Sequence, residues 1–450
     1  MTIKKKFTVI SLFSGGMGLD IGLEKTGSYE LLACLEKIPM FCETIRINRD
    51  AGRIGSNNTK VYEGDISDFD PEEIMKELKL KPGDIDLIVG GPPCQSFSTA
   101  GKRGTVQDPR GTLLWQYLKF IQVMQPKMFI MENVRGLMSA ALNHRPIAER
   151  PEKGGKPLKH DEEPGSVVRR FVEDLNEEYR LDCFEVNSVN YGASQIRERA
   201  IFIGNRFNRV VDFPSPTHGP LDSSDDDQHS LLKNKTLIPY KTLGDALKGL
   251  KEKNPVVLDF SPRKKKFLSM IPSGGNWRCL PAEIAQESMG KAYFAKGGRS
   301  GWWRRLSFDL PSPTIVTMPN HSSTSLCHPI EVRALSLREC ARVQGFPDSW
   351  EFAGKVSQQY AQVGNAVPTI LGEVAGKVVA LELAQIYKTK FKPLDTAAQL
   401  CRIVYLQSHV RTRQWFKDGE KVVWKDGKKN KNATYSSAKT LRKETVIEAH

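Results

Sequence analysis

The N-terminal part of the chain is built from apolar runs that each stop at a glycine or glycine–proline turn. Phe7-Thr8-Val9-Ile10-Ser11-Leu12-Phe13 ends at Ser14-Gly15-Gly16-Met17-Gly18, and Leu19-Asp20-Ile21-Gly22-Leu23 has the pattern of the helix that follows. Tyr29 to Leu35 is a second strand-like run, ending at Glu36, and a helical stretch runs from Met40 to about Asn48. Val61 leads to Gly64-Asp65-Ile66. Asp86-Leu87-Ile88-Val89 ends at Gly90-Gly91-Pro92-Pro93-Cys94. An amphipathic helix over Leu113–Met124 precedes the strand Met128-Phe129-Ile130-Met131. Strands alternating with helices predict an α/β domain with a largely parallel sheet. In such a sheet, ligands gather at the carboxyl ends of the strands.

The pattern then changes twice. Residues 140–166 are rich in Pro, Gly and charge and read as an exposed insertion. Helix resumes at Val167–Glu178, and strands are expected over Cys183–Asn187 and Ala200–Gly204. From about 205 the chain turns irregular, broken by Pro214-Ser215-Pro216, Asp225-Asp226-Asp227 and Pro272-Ser273-Gly274-Gly275. Helices near Leu337–Val343 and Thr369–Tyr387 restore the α/β character. The expected organisation is a domain over 1–204, completed by about 345–387, a second domain with hinge over 205–344, and a C-terminal extension over 388–450.

Charge follows this division. The 450 residues carry a formal net charge of +14. Residues 1–204 sum to −1, 205–332 to +6, 333–387 to zero and 388–450 to +9. A polyanionic partner, nucleic acid first, is therefore expected at the middle segment and tail. The tail reads equally well as a solvated end. No apolar run approaches the ~20 residues of a membrane helix. Met1-Thr2-Ile3-Lys4-Lys5-Lys6 is not a signal peptide. The 8 cysteines form no CxxC pair, so neither a zinc site nor a disulfide framework is expected. A reduced, cytoplasmic protein without membrane or metal is the expectation.

Four places carry candidate chemistry. The glycine turn after the first strand lets a ligand approach the backbone, and Glu36 ends the next strand, where a carboxylate can bind ribose hydroxyls. The spacing Gly16-x-Gly18-x-x-x-Gly22 is one residue too long for the dinucleotide fingerprint, which favours another adenosine cofactor over NAD. A purely structural turn is the alternative. Cys94 follows two prolines and precedes a polar, basic stretch, Gln95-Ser96-Phe97-Ser98-Thr99-Ala100-Gly101-Lys102-Arg103, a setting that suits a thiolate nucleophile. Glu132, in Met131-Glu132-Asn133-Val134, ends a further strand and is either a turn cap or an acid that holds a heterocycle. Arg197 and Arg199 alternate with Glu198, so both face one side of a strand, or form surface ion pairs.

Taken in order, SLFSGGMGLD, GPPCQSFSTAGKR, MENVRG, QIRERAIFIG, ECARVQGFPDSW and VGNAVP resemble the DNA (cytosine-5-)-methyltransferase family of prokaryotic restriction–modification type. The resemblance runs from Phe7 to about Gly376 and leaves out 221–230 and the tail. It implies a Rossmann-like methyltransferase domain dependent on S-adenosyl-L-methionine, with a smaller, irregular target-recognition domain at 205–344. It implies that Cys94 attacks carbon 6 of cytosine and that Glu132 holds ring nitrogen 3. Arg197 is expected to contact the base oxygen, and Arg199 to support the site. For the cofactor it implies Phe13, Ser14, Gly15, Gly16, Gly18, Glu36, Asp65, Ile66, Pro92, Leu113, Asn365 and Val367. Lys37 stands where an aromatic often stacks on adenine, a departure from the pattern.

The partner so implied is duplex DNA, with the cytosine flipped out of the stack. Gln95, Ser98, Lys102, Arg103 and Arg110 are expected on the DNA from the loop after Cys94, and Arg278, Arg299, Arg304 and Arg305 from the recognition region, beside Trp277, Trp302 and Trp303. The catalytic part begins almost at residue 1, so no N-terminal regulatory module is expected, and a monomer is. The enzyme would associate with the nucleoid through DNA and share its system with a cognate endonuclease without forming a stable complex. Methylation of tRNA cytosine and an inactive DNA-binding homologue are the alternatives.

Overall fold

The computed structural model describes residues 6–93, 112–175, 178–219, 237–295, 299–393, 400–406, 415–417, 420–422 and 442–448. β1 (Phe7–Leu12), β2 (Tyr29–Glu36), β3 (Lys60–Glu63), β4 (Leu87–Gly90) and β5 (Met128–Val134) alternate with α1 (Gly18–Lys25), α2 (Pro39–Asp50), α3 (Pro71–Glu77) and α4 (Leu113–Met124). α5 (Ser166–Asp174), β6 (Arg180–Asn187) and β7 (Glu198–Asn205) follow. The strands from β1 to β5 pair in parallel, whereas β7 lies antiparallel between β5 and β6. The carboxyl ends of β1 to β5 therefore share one edge with the start of β7.

Strand order across the core of the sheet is β6-β7-β5-β4-β1-β2-β3. The order reverses between β4 and β1, so the loops that leave these two strands diverge and open a crevice, the usual ligand position in such sheets. Alternation along the strands sends side chains to two cores. Val9, Cys34, Val89, Ile130 and Ile203 belong to one, and Ile10, Leu35, Ile88, Phe129 and Phe202 to the other.

Between 205 and 344 lie the short pair β8 (His218–Gly219) and β9 (Ile238–Pro239), then α6 (Leu243–Leu247), α7 (Pro262–Leu268), α8 (Ala282–Met289) and α9 (Leu337–Gln344). A third core gathers here around Phe260, Phe267, Ile271, Leu280, Met289 and Trp303. α10 (Val356–Asn365) and α11 (Thr369–Thr389) return to the large sheet, where α11 packs on α1. That packing is backbone on backbone. A Cβ at Gly22 would stand 2.2 Å from the Thr369 carbonyl oxygen, and one at Gly372 2.3 Å from that of Leu19. Tyr29 adds a hydroxyl bond of 2.5 Å to the Gly376 carbonyl.

The tail is more than a solvated end. β10 (Leu400–Leu406) pairs in parallel with β6, β11 (Trp415–Lys417) pairs with β12 (Glu420–Val422), and β13 (Arg442–Glu448) pairs antiparallel with β10, so the sheet reaches nine strands. Arg402 on β10 reaches back to Asp182, which is fully buried, with Nε 2.8 Å from Oδ1. Residues 140–166 form short 3₁₀ turns stitched to their base. Gly165 N–H donates to Ala140, Leu142 N–H to Ser166 Oγ, and Arg145 to the carboxylate of Glu162 and the carbonyls of Lys156 and Pro157.

Candidate active site

The site begins where β1 ends. Phe13 takes a left-handed backbone with φ +54°, unusual for a bulky residue, and Gly15 has φ +55°. This double turn lifts the chain off the sheet before α1 starts. Gly16 and Gly18 are held closely from the other side. A Cβ on Gly16 would lie 2.9 Å from the carbonyl oxygen of Gln362, and one on Gly18 2.1 Å from that of Val367. Ser14 and Val367 are buried, and Asn365 is exposed beside them.

Glu36, at the end of β2, fixes the same loop. Its Oε2 accepts from Gly15 N–H at 2.8 Å and its Oε1 from Ile38 N–H at 2.9 Å. Burial pushes this carboxyl above its ordinary value, against the pull of the N–H donors. One strand further out, Asp65 caps the turn at Ile66. It accepts from Ser67 N–H and Oγ and pairs with Lys37 Nζ at 2.7 Å, so its carboxyl is held down to about 2, mainly by Lys37. Ile66 is buried behind it.

An unexpected carboxylate lies under the loop. Asp20, in the first turn of α1, is buried, and its Oδ1 has no hydrogen-bond partner. Desolvation raises it to about 6 in spite of a bond with Ser11. Ser11 in turn bonds Ser14 Oγ at 2.9 Å. Asp20 closes the SLFSGGMGLD run of the sequence, but only burial singles it out.

Across the crevice, β4 leads to Gly90-Gly91-Pro92-Pro93. Gly91 lies against Glu132, since a Cβ there would be 3.2 Å from Oε2. Asn133 Nδ2 donates to the Pro92 carbonyl at 3.1 Å and ties this exit to β5. Leu113 opens α4. Cys94, Gln95, Ser98, Lys102, Arg103 and Arg110 lie outside the described residues. Among the remaining cysteines, Cys34, Cys42, Cys279, Cys327 and Cys340 have thiols pushed up by burial, which suits inert core residues.

The two arginines part company. Arg199 Nε lies 2.6 Å from Glu132 Oε1, with side chains 13% and 11% exposed, so the pair is largely shielded from water. Arg197, expected on the base, is instead buried, and its Nη atoms donate at 2.8 Å to the carbonyls of Ile315 and Gly364. The physical reason is that β7 starts only at Glu198. Arg197 belongs to the irregular lead-in, where strand alternation does not hold. Desolvation and the nearby Arg199 charge both disfavour its cation, and the two carbonyls are what hold it there.

The recognition-region candidates also divide. Arg278 and Arg299 both lie over the Trp277 ring, at 4.6 and 5.0 Å from its centroid. The ring orders both guanidinium groups, and that of Arg299 also donates to the Tyr293 carbonyl. Arg305 is spent on structure, since its guanidinium donates to the carbonyls of Ile271, Pro329 and Ile330. Arg304 Nε bonds the Ser325 carbonyl at 3.3 Å. Trp303 is a core residue, bonded through Nε1 to Ser288 Oγ, and Trp302 packs against that core.

No helix among the described residues is long and apolar enough to cross a membrane. The profile of the C-5 cytosine-specific DNA methylase family matches residues 7–380. The Staphylococcus aureus type II methyltransferase M.Sau96I is 36% identical over 381 residues, 85% of this chain and 77% of its own length. M.Eco47II of Escherichia coli is 36% identical over 395 residues, 85% and 81% of the two chains. A solved structure described as a DNA modification methyltransferase from an E. coli prophage aligns with a TM-score of 0.53 at 24% identity, covering 84% of this chain and all of that one. That likeness supports the Rossmann-like α/β fold. The site edge described above falls within the matched span, and this chain belongs to the C-5 cytosine-specific DNA methyltransferases.

Proposed function

We propose that the enzyme transfers the methyl group of S-adenosyl-L-methionine to carbon 5 of a cytosine flipped out of a short duplex sequence, and so protects host DNA in a restriction–modification system. The observation that carries the reading is the convergence of Glu132, Arg199 and the Gly91-Pro92-Pro93 exit at one strand edge, with Cys94 next in the chain. Ring carbon 5 is a poor nucleophile. Addition of the Cys94 thiolate to carbon 6 makes it enamine-like, and a proton held by Glu132 at nitrogen 3 neutralises the charge that addition creates. Carbon 5 then takes the methyl group, loses its proton to a base, and the carbon–sulfur bond breaks to restore the ring and the thiolate. Arg199 keeps the Glu132 carboxylate aimed and would meet the base oxygen. Arg197 acts as a structural tie.

The crevice residues fit the cofactor. Glu36 would offer its carboxylate to ribose hydroxyls, and Asp65 retains one acceptor direction for an adenine amino group. Gln362, which is pressed on Gly16, buries an Oε1 without a partner. When bound, S-adenosylmethionine supplies an electrophilic methyl group on sulfur. Phe13, Pro92, Leu113, Asn365 and Val367 complete the expected wall, while Lys37 replaces ring stacking by an ion pair with Asp65. Duplex DNA would lie along the stretch of chain that bears Gln95, Ser98, Lys102, Arg103 and Arg110, and along the Arg278–Trp277–Arg299 stack. Flipping the base costs about a few kcal/mol, offset by contacts to the phosphates.

Incubation with duplex DNA and methyl-labelled S-adenosylmethionine should place label on cytosine carbon 5, and bisulfite sequencing should give one short context. Cys94→Ser should abolish transfer while duplex binding persists. Equal transfer by Cys94→Ser and the parent would overturn the nucleophile, and label on tRNA alone would overturn the substrate.

A further inference from the structure

Two buried glutamines outside the reacting groups form a closed relay. Gln195, in the lead-in to β7, and Gln344, the last residue of α9, are both about fully buried, at 0% and 1% exposure. Gln195 Nε2 donates to Gln344 Oε1 at 2.5 Å and to the Val343 carbonyl at 3.2 Å. Gln195 Oε1 accepts from Ile315 N–H at 3.2 Å. Gln344 Nε2 donates to the carbonyls of Val363 at 2.6 Å and Ala366 at 3.1 Å. Both donors of each amide are used and each oxygen has a partner. A buried polar network so satisfied fixes one arrangement of the backbones it joins, and a half-made one is costly.

The backbones joined are informative. Residues 312–315 lie within the recognition region, between the part of its core that holds Trp303 and the part that holds Cys327 and Ala334, and pair with the lead-in, through Ser312 opposite Gln195 and Thr314 Oγ1 to the Ile196 carbonyl. Residues 362–367 are the segment pressed on Gly16 and Gly18. The relay therefore ties a segment of the recognition region to the wall of the glycine loop, through the segment that carries Arg197 and Arg199.

We propose that Gln195 and Gln344 are positioning residues that hold these two segments in one register, so that seating of DNA and binding of the cofactor depend on each other through the relay. The proposal rests on the cofactor reading above. Gln344 acts on the glycine loop by holding Val363 and Ala366, the latter packed on Gly18. Gln195 touches neither loop nor cofactor and acts through Gln344.

The test uses Gln195→Met, Gln344→Met and the double variant, which keep side-chain length and remove the bonds. Binding of S-adenosylhomocysteine to the parent first checks the cofactor reading by itself. With that binding present, each single variant should raise KM for S-adenosylmethionine and for duplex about tenfold, with kcat changed much less. The double variant should match the singles, not multiply them, because one network is lost once. In the parent, hydrogen exchange gives a second readout that needs no variant. Duplex should slow exchange at 363–367, and S-adenosylhomocysteine should slow it at 312–316. Folded variants with a lowered melting temperature but unchanged KM values, or protection that never crosses between the two segments, would overturn the proposal.

Discussion

Glu132 and Arg199 meet because β5 and β7 run antiparallel. Arg199 stands opposite Val134 and Ile201 opposite Glu132, which leaves the arginine two residues along the edge from the carboxylate and 2.6 Å from it. Removing the guanidinium would leave a shielded carboxylate without its cation.

Arg199→Ala should therefore lower kcat by about 10²–10⁴, the range for loss of a positioned acid–base group. Arg199→Lys should recover part of it, since an ammonium can replace the charge but not the fork. Arg197→Ala should act differently, lowering thermal stability and weakening cofactor binding through the Gly364 tie. Steady-state kinetics and a melting curve on both variants separate the two roles.

Asp20 makes stability depend on pH. Its folded value of about 6 lies above the ordinary 3.8, so the unfolded chain ionises first as pH rises. Stability from this group is full below about pH 4 and falls as pH climbs through 6. The cost above that is on the order of 3 kcal/mol. Asp20→Asn should be more stable than the parent at pH 7–8 and lose that advantage near pH 4. Urea titrations at the two pH values give the comparison, and an advantage of equal size at both would contradict it.

Gly18→Ala should push α1 away from the segment at Val367, because no Cβ fits 2.1 Å from a carbonyl oxygen. A loss of about 1–3 kcal/mol in stability is expected, as for an overpacked core. S-adenosylhomocysteine affinity, measured by calorimetry, should fall with it.

The basic tail can now be tested as a structural part. Arg402→Ala would leave Asp182 with Arg180 at 3.3 Å and Val211 N–H at 3.0 Å, and should cost about 1–3 kcal/mol. The salt slope of DNA binding should hardly change in that variant. If the tail's lysines grip phosphates, deleting 407–441 should flatten the slope instead.

Much of this site could be read from residue order. Each strand that ends in glycine or a carboxylate delivered a site element to one edge, because parallel strands point their carboxyl ends the same way. Glu36 ends β2 itself, Asp65 and Gly91 lie just past the ends of β3 and β4, and Glu132 stands two residues before the end of β5. Arg197 escaped such a reading, since alternation holds only inside a paired strand and β7 begins one residue later. Trp303 reads from the sequence either as a DNA contact or as the core of a small domain, and it is core, packed with residues distant in sequence. The apolar run in Leu400–Leu406 was present but overshadowed by the surrounding charge. Asp20 and the Gln195–Gln344 relay are defined by burial, and burial of a polar group depends on partners that no local pattern names.

The packing of α11 on α1 has a consequence for synthesis. Tyr29 waits for a carbonyl that is 347 residues away, and the glycine ridge of α1 has no cover until then. While the chain is still emerging from the ribosome, its cofactor crevice lacks one wall. Chaperones would meet an exposed α1 face during that interval, and methylation competence should appear abruptly, late in translation, instead of growing with length.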